Sequence, residues 1–89
     1  MGPKTIKLLK VLNEIIGLLE SENEDHWAGL LKKYKSRIQN SDFSGIELLL
    51  NAYGGMGSFS DLVIVQNNDK LNQLRSEAFD LVQDIKREQ

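Results

Sequence analysis

One stretch divides this chain, namely Ala52-Tyr53-Gly54-Gly55-Met56-Gly57-Ser58-Phe59-Ser60-Asp61-Leu62. It places three glycines within four positions, whereas the segments on either side have the apolar spacing of helices. Each glycine inside a helix costs roughly 1 kcal/mol, and glycine adopts positive φ without a steric penalty. The stretch therefore predicts a glycine loop (residues 54–61) between two helices. Gly54 is predicted to be the left-handed residue that ends the helix before it.

Three helices are predicted before the glycine loop. The first runs from Pro3 to about residue 20, and the second from about residue 24 to residue 39, with its cations opposite the apolar face. Asn40 or Ser41 is predicted to cap the third, as Ser21 or Asn23 is for the second. In chain order, the apolar stripes contain Leu8, Leu9, Leu12, Ile15, Ile16 and Leu19; Trp27, Leu30, Leu31, Tyr34 and Ile38; and Phe43, Ile46, Leu48, Leu49, Leu50 and Tyr53. Val11 and Leu18 widen the first stripe, so helix 1 is expected to have at least two neighbours.

The run Leu62-Val63-Ile64-Val65 follows the glycine loop and is rich in β-branched residues. We predict extended chain packed on the bundle, because a strand needs a partner and no second strand-like segment is present. Asn67, Asn68 and Asp69 are predicted caps for a fourth helix that ends near Arg87. The predicted fold class is all-α: residues 1–89 form a single-domain four-helix bundle, with the glycine loop and a short extended segment between helices 3 and 4.

Composition limits the classes of function. The chain is 40% hydrophobic and 27% charged, as soluble globular domains are, and it has no cysteine for disulfides or thiolate chemistry. A net charge of −2 gives no basic field for a phosphate backbone, so no nucleic-acid partner is expected. No apolar run approaches the roughly 20 residues that span a bilayer, and no signal peptide is recognised. We therefore expect a cytoplasmic protein without a membrane partner.

Catalytic and metal-binding groups are scarce in the sequence. His26 is the single histidine and neighbours Glu22, Glu24 and Asp25, but one histidine at a helix start does not supply the ligands of a closed metal site. It is interpreted as a solvated residue. No Ser-His-acid arrangement is recognisable. The sequence predicts no enzyme, no catalytic residue, no metal and no cofactor.

Three interpretations of the glycine loop stay open. Its glycines and hydroxyls are typical of a structural turn in which Phe59 anchors the loop in the core, and this interpretation is favoured. The second is a loop that contacts another protein. The third is a nest of backbone N–H groups that binds a small anion, but phosphate-binding glycine motifs follow a strand and lead directly into a helix. This loop has neither neighbour.

The block Gly54-Gly55-Met56-Gly57-Ser58-Phe59-Ser60-Asp61-Leu62-Val63-Ile64, preceded by Leu49-Leu50 and followed by an amphipathic helix, resembles a family of small uncharacterised bacterial proteins. These proteins share a Gly-Gly-Met-Gly-Ser-aromatic/Leu-x-Asp-Leu signature. The resemblance extends over about residues 46–87, and Ser60 stands where the family often has Asn. It implies a bacterial source and an all-helical domain, and it brings no catalytic residue.

A non-catalytic protein-binding module is the function that we expect, most specifically a bacterial immunity protein that neutralises a basic toxin domain. The acidic run Glu20-Ser21-Glu22-Asn23-Glu24-Asp25, before helix 2, would steer a basic partner. Trp27 would add an aromatic anchor if it were exposed, although a core position is favoured. The alternatives are a helical adaptor or regulatory subunit, monomeric or homodimeric, and a small-anion-binding protein. The predicted partner-binding residues are Glu20, Glu22, Glu24, Asp25, Gly55, Met56, Gly57, Ser58 and Asp61. An exposed apolar patch with acidic neighbours would favour the immunity protein.

Overall fold

The structure, a computed structural model, describes residues 1–54 and 58–88. Within these ranges the chain forms four α-helices, one 3-10 turn and no strand. The elements are α1 (Pro3–Ser21), α2 (Asp25–Gln39), α3 (Ser44–Asn51), the 3-10 turn (Phe59–Asp61) and α4 (Asn68–Arg87). The predicted all-α four-helix bundle is confirmed, and each predicted helix is present. No helix in the described ranges combines the length and the apolar character that crossing a membrane requires.

The core forms where the apolar stripes of the helices meet. α1 packs against both α2 and α4, and α3 packs against the same two helices, so the predicted need of α1 for two neighbours is confirmed. At one end of the bundle, Lys4 near the start of α1 forms ion pairs with Asp84 and Glu88 near the end of α4. α1 and α4 are therefore antiparallel, and the far end of the bundle brings together the end of α1 and the starts of α2 and α4.

Gly45, which has no side chain, determines how closely α3 approaches α2. Gly45 is buried in the first turn of α3, and a Cβ built on it would lie 2.8 Å from both Ile38 Cγ1 and the carbonyl oxygen of Tyr34. Neither distance is compatible with a side chain at this position. Glycine is therefore required at the contact of the two helices.

The predicted side-chain caps are wrong in detail. No helix receives a hydrogen bond from the side chain of its N-cap residue; instead Asn23, Ser41 and Asn67 take left-handed backbone conformations with φ of 59°, 60° and 62°. Short polar side chains tolerate this region better than other non-glycine residues do. At the start of α3, Asp42 Oδ1 accepts the N–H of Ser44 at 3.0 Å, the role predicted for Asn40 or Ser41. Hydrogen bonds from the Ser44 hydroxyl and from its backbone N–H lower the pKa of Asp42 below its ordinary value.

The predicted left-handed Gly54 is also wrong. After Asn51 the chain continues in right-handed geometry through Ala52, with φ of −64°, and the φ of Gly54 is not in the left-handed region. The N–H groups of Tyr53 and Gly54 donate to the carbonyls of Leu50 and Asn51, each at 3.2 Å. These i→i+3 bonds satisfy carbonyls at the helix end, so no left-handed residue is needed there.

Candidate functional site

The candidate site lies at the end of the bundle where the α1–α2 connection meets the chain that leads into α4. We call the second of these the 58–67 segment. Glu22 Oε1 in the connection accepts the backbone N–H of Gln66 at 3.1 Å. The ring of Trp27, in the first turn of α2, lies 5.4 Å from the ring of Phe59. The structure thus places the acidic run next to the 58–67 segment. We call the surface formed by residues 20–25 and 58–69 the acidic end.

Arg75 holds the 58–67 segment against α4. Its Nη1 donates to the carbonyl oxygens of Phe59 at 2.6 Å and Leu62 at 2.8 Å, and its Nη2 donates to Asn72 Oδ1. The guanidinium carbon also lies 5.6 Å from the centre of the Phe59 ring, within the range of a cation–π contact. The residue is only 8% exposed. Arg75 therefore supplies the donor for the Leu62 carbonyl and a second donor for the Phe59 carbonyl, which also accepts the Leu62 N–H.

The charge of Arg75 is balanced by its surroundings. Burial lowers the pKa of the Arg75 guanidinium, while Tyr53 and the carboxylate of Asp61 oppose that shift. Arginine remains protonated far above neutral pH, so a positive charge is retained here. Asp61, one of the predicted partner-binding residues, is exposed to solvent and also stabilises this charge.

An aromatic cluster connects α3, the 58–67 segment and α4. Tyr53 contacts Phe59 with ring centres 5.4 Å apart and Phe79 with ring centres 4.9 Å apart. Its hydroxyl donates to the carbonyl oxygen of Arg75 at 2.6 Å. Burial raises the pKa of the Tyr53 phenol above its ordinary value. The phenol therefore stays protonated at neutral pH and acts as a hydrogen-bond donor.

The two ends of the glycine loop are joined by hydrogen bonds. Phe59 N–H donates to the carbonyl of Ala52 at 2.9 Å, Ser60 Oγ donates to the carbonyl of Tyr53 at 3.0 Å, and the hydroxyls of Ser58 and Ser60 are 2.7 Å apart. Phe59 is completely buried. The burial of Phe59 is the anchor that the sequence predicts for this turn, whereas the Ser60 hydroxyl donates to a backbone carbonyl instead of capping a backbone N–H. The predicted residues Gly55, Met56 and Gly57 lie outside the described residues.

Two apolar side chains of the 58–67 segment are exposed. Val63 is 74% exposed and Val65 is 93% exposed, while Ile64 between them is 6% exposed. The predicted extended backbone is present at Leu62, where φ is −66° and ψ is 132°. The prediction that this run packs on the bundle is correct for Ile64 and wrong for the two valines, because the side chains of an extended chain alternate between its faces.

The four predicted acidic residues have different roles. Glu20 forms an ion pair with Lys32 at 2.5 Å, and Glu22 is bonded to Gln66. Glu24 and Asp25 lie at the start of α2, where carboxylates complement the helix dipole. Within residues 1–54 and 58–88, no group of three His, Cys, Asp or Glu side chains has the geometry to hold a metal ion.

His26 and Trp27 lie beside these carboxylates. His26 is exposed, as predicted, and its ring meets that of Trp27 edge-on at 5.5 Å. Trp27 is half-buried: it packs against the core through Phe59 and keeps part of its surface in solvent. The core position that the sequence favours for Trp27 is therefore correct only for the part of the ring that packs against the core.

Residues 20–72 match the family described as Domain of unknown function (DUF6966). The chain belongs to this family. The match begins at the acidic run and ends at Asn72 in α4, so it contains the α1–α2 connection and the whole 58–67 segment. No curated protein and no solved structure matches the chain. The uncharacterised family expected from the sequence is supported, and the family description carries no activity.

Three features of this DUF6966 domain escape the sequence reasoning although the sequence contains a signal for each. Arg75 is four residues after Leu71 and three before Ala78, so helical spacing places it on the buried stripe of α4. Gly45 is four residues before Leu49 and shares its buried face. The alternation of Val63, Ile64 and Val65 is that of an extended chain with one buried face.

An open depression of about 460 Å³ lies beside Arg75. Its lining combines the rings of Tyr53 and Phe79 with the side chains of Asn72, Arg75 and Asp80. Arg75 already donates to two carbonyls and an amide, and Asp80 gives the depression a negative charge. The depression is therefore a poor fit for a small anion. The nest of backbone N–H groups in the third interpretation belongs to the glycine loop, whose residues Gly55, Met56 and Gly57 lie outside the described residues.

Proposed function

We propose that this domain is a non-catalytic protein-binding module whose acidic end holds a basic protein, and that this partner is a bacterial toxin domain that the module neutralises. The observation that carries the proposal is the pair Val63 and Val65, exposed in an extended segment beside the carboxylates of the acidic end. Neighbouring exposed apolar side chains that form a contiguous patch rimmed by polar residues mark protein interaction sites.

The charge of the acidic end supports a basic partner. Residues 20–25 contribute four carboxylates and residues 58–69 contribute two, and neither range contains Lys or Arg. The carboxylates are those of Glu20, Glu22, Glu24, Asp25, Asp61 and Asp69. Complementary charges accelerate the encounter of two proteins and suppress wrong partners. A toxin domain with a basic surface would be attracted to this end of the bundle.

The apolar pair would supply binding free energy. Burying an exposed valine side chain in an interface contributes about 1.5 kcal/mol, so the two valines together contribute about 3 kcal/mol. The segment that carries them is held by Arg75, Asn68 and Glu22, so little conformational entropy is lost when a partner binds. The half-buried Trp27, which contacts Phe59 of the same segment, offers aromatic surface of the kind found at binding hot spots.

Affinity capture from the source bacterium with the tagged full chain tests this function. A Val63→Thr/Val65→Thr variant keeps the β-branched shape and removes apolar surface, and we expect it to lose most of the captured partner. A matched pair of double variants tests the charge: Glu24→Gln/Asp25→Asn at the acidic end, and Glu14→Gln/Glu47→Gln on exposed parts of α1 and α3. Only the first should slow association and weaken its salt dependence.

Two results would contradict the proposal. The first is a partner that the wild-type chain and the threonine variant capture equally well. The second is capture of no protein at all, together with a reproducible thermal shift by inorganic phosphate or a nucleotide, which would favour a small-anion site.

A further inference from the structure

Along residues 62–66, residues whose backbone N–H or C=O groups are hydrogen-bonded within the protein alternate with residues whose backbone groups are not. Arg75 donates to the carbonyl oxygen of Leu62. Ile64 N–H donates to Asn68 Oδ1 at 3.0 Å, and Gln66 N–H donates to Glu22 Oε1 at 3.1 Å. The even-numbered residues are therefore bonded to side chains of α4 and of the α1–α2 connection.

The odd-numbered residues show the opposite pattern. Within the part of the chain that the structure describes, no hydrogen bond involves the backbone of Val63 or Val65. In extended chain, the N–H and C=O groups of neighbouring residues point to opposite edges. The N–H of Ile64 points to the body of the protein, so the N–H and C=O groups of Val63 point to solvent. The chain bends at Val65, which is 93% exposed. Such a row of unpaired groups is a template for another strand.

We propose that residues 63–65 form a docking edge, at which an extended basic segment of the partner protein adds as a short strand. The inference rests on the proposed function and specifies how the partner is recognised. The N–H and C=O groups of Val63 and Val65 pair with the partner backbone, while their side chains contact its apolar residues. Strand addition of this kind gives affinity through the main chain and specificity through alternate side chains.

Charge decides between the candidate occupants of the edge. A second copy of this chain would bring Glu22 and Asp61 of one molecule next to the same carboxylates of the other, and like charges in an interface are unfavourable. A segment in which Lys or Arg alternates with apolar residues places cations beside those carboxylates and apolar side chains beside the valines. The occupant is therefore a basic segment of another protein.

The test uses the full ¹⁵N-labelled chain and a capped peptide of sequence Lys-Val-Lys-Val-Lys at low ionic strength. Amide hydrogen exchange is measured residue by residue. In the free protein we expect fast exchange at Val63 and Val65 and slower exchange at Ile64 and Gln66, whose N–H groups are bonded. Saturating peptide should slow exchange at the two valines at least about tenfold and leave Ile64 and Gln66 unchanged.

Two control peptides separate pairing from charge. The same peptide with N-methyl groups at every internal residue keeps all side chains and charges but cannot pair, and it should bind about tenfold more weakly or worse. A Glu-Val-Glu-Val-Glu peptide should not bind. If the methylated peptide binds equally well and the valine amides are not protected, strand addition is wrong while a basic ligand at the acidic end remains supported.

The remaining outcomes also decide the question. Equal binding of the glutamate peptide would contradict the basic occupant. Failure of every peptide to bind would overturn the docking edge, while the proposed function would be judged separately by capture with the Val63→Thr/Val65→Thr variant.

Discussion

The contact between α2 and α3 and the 58–67 segment are fixed in opposite ways. At the helix contact, Gly45 brings bare backbone against Ile38 and the Tyr34 carbonyl, and shape alone sets the distance. In the 58–67 segment, the side chains of Arg75, Asn68 and Glu22 reach backbone groups across the end of the bundle. Helices satisfy their own N–H and C=O groups, whereas irregular chain needs partners for them. The first region should therefore respond to volume and the second to the loss of polar groups.

The largest effect is expected at Arg75. Arg75→Leu keeps much of the bulk but leaves the carbonyls of Phe59 and Leu62 without their charged donor. Hydrogen bonds to charged groups contribute about 1.5–3 kcal/mol each, so the variant should lose about 3 kcal/mol of unfolding free energy. Urea denaturation measures this loss. Arg87→Leu is the matched control on the same helix, because Arg87 is exposed and, among the described residues, pairs only with Asp84. It should change stability by less than about 0.5 kcal/mol. Equal effects of the two variants would show that the 58–67 segment does not depend on Arg75.

The next effect is expected at the helix contact. Gly45→Ala adds one methyl group at a site where its neighbours are 2.8 Å away, so α3 must move and stability should fall by about 2 kcal/mol. Gly29→Ala makes the same chemical change in α2, where an added Cβ would meet no described atom within 4 Å beyond its chain neighbours and its own helix backbone, and should raise stability by about 0.5–1 kcal/mol. The midpoints of thermal unfolding should shift in opposite directions. If both variants are stabilised, close packing is not what joins α2 to α3.

The sequence predicts the helices of both regions because apolar spacing reports which face of a helix is buried. It does not report how closely two helices approach, so the sequence alone does not show that the α2–α3 contact requires Gly45. Hydrogen bonds between elements are likewise absent from local patterns. Arg75 lies among the charged residues of α4, and its bonds to Phe59 and Leu62 depend on how the chain returns after the glycine loop. Its place on the apolar stripe is the one signal that periodicity gives.

A smaller effect, with a defined pH dependence, is expected at Tyr53. Burial raises the pKa of the folded phenol above its unfolded value near 10, so its contribution to stability is complete below pH 10 and is lost as pH rises further. At pH 8, Tyr53→Phe should cost about 1 kcal/mol because the bond to the Arg75 carbonyl is lost. Between pH 8 and pH 11, the wild type should lose about 1.4 kcal/mol relative to the variant. Urea titrations at the two pH values measure the difference. A difference that does not change with pH would show that the phenol titrates alike in the folded and unfolded chains.

The smallest expected change in stability distinguishes Glu22 from Glu24, two carboxylates for which the sequence predicts the same role. Glu22 accepts the Gln66 N–H, so Glu22→Ala should cost about 0.5–1 kcal/mol, whereas Glu22→Gln retains an acceptor oxygen and should cost less. Glu24 makes no side-chain cap bond, so Glu24→Ala should leave the unfolding free energy nearly unchanged. Amide exchange gives a second measurement, since Gln66 should exchange faster in Glu22→Ala only. If Glu22→Ala and Glu24→Ala are equally stable and equally protected at Gln66, the α1–α2 connection does not hold the 58–67 segment. The acidic run would then act through its charge alone, and the comparison of the two regions would rest on Arg75 and Asn68.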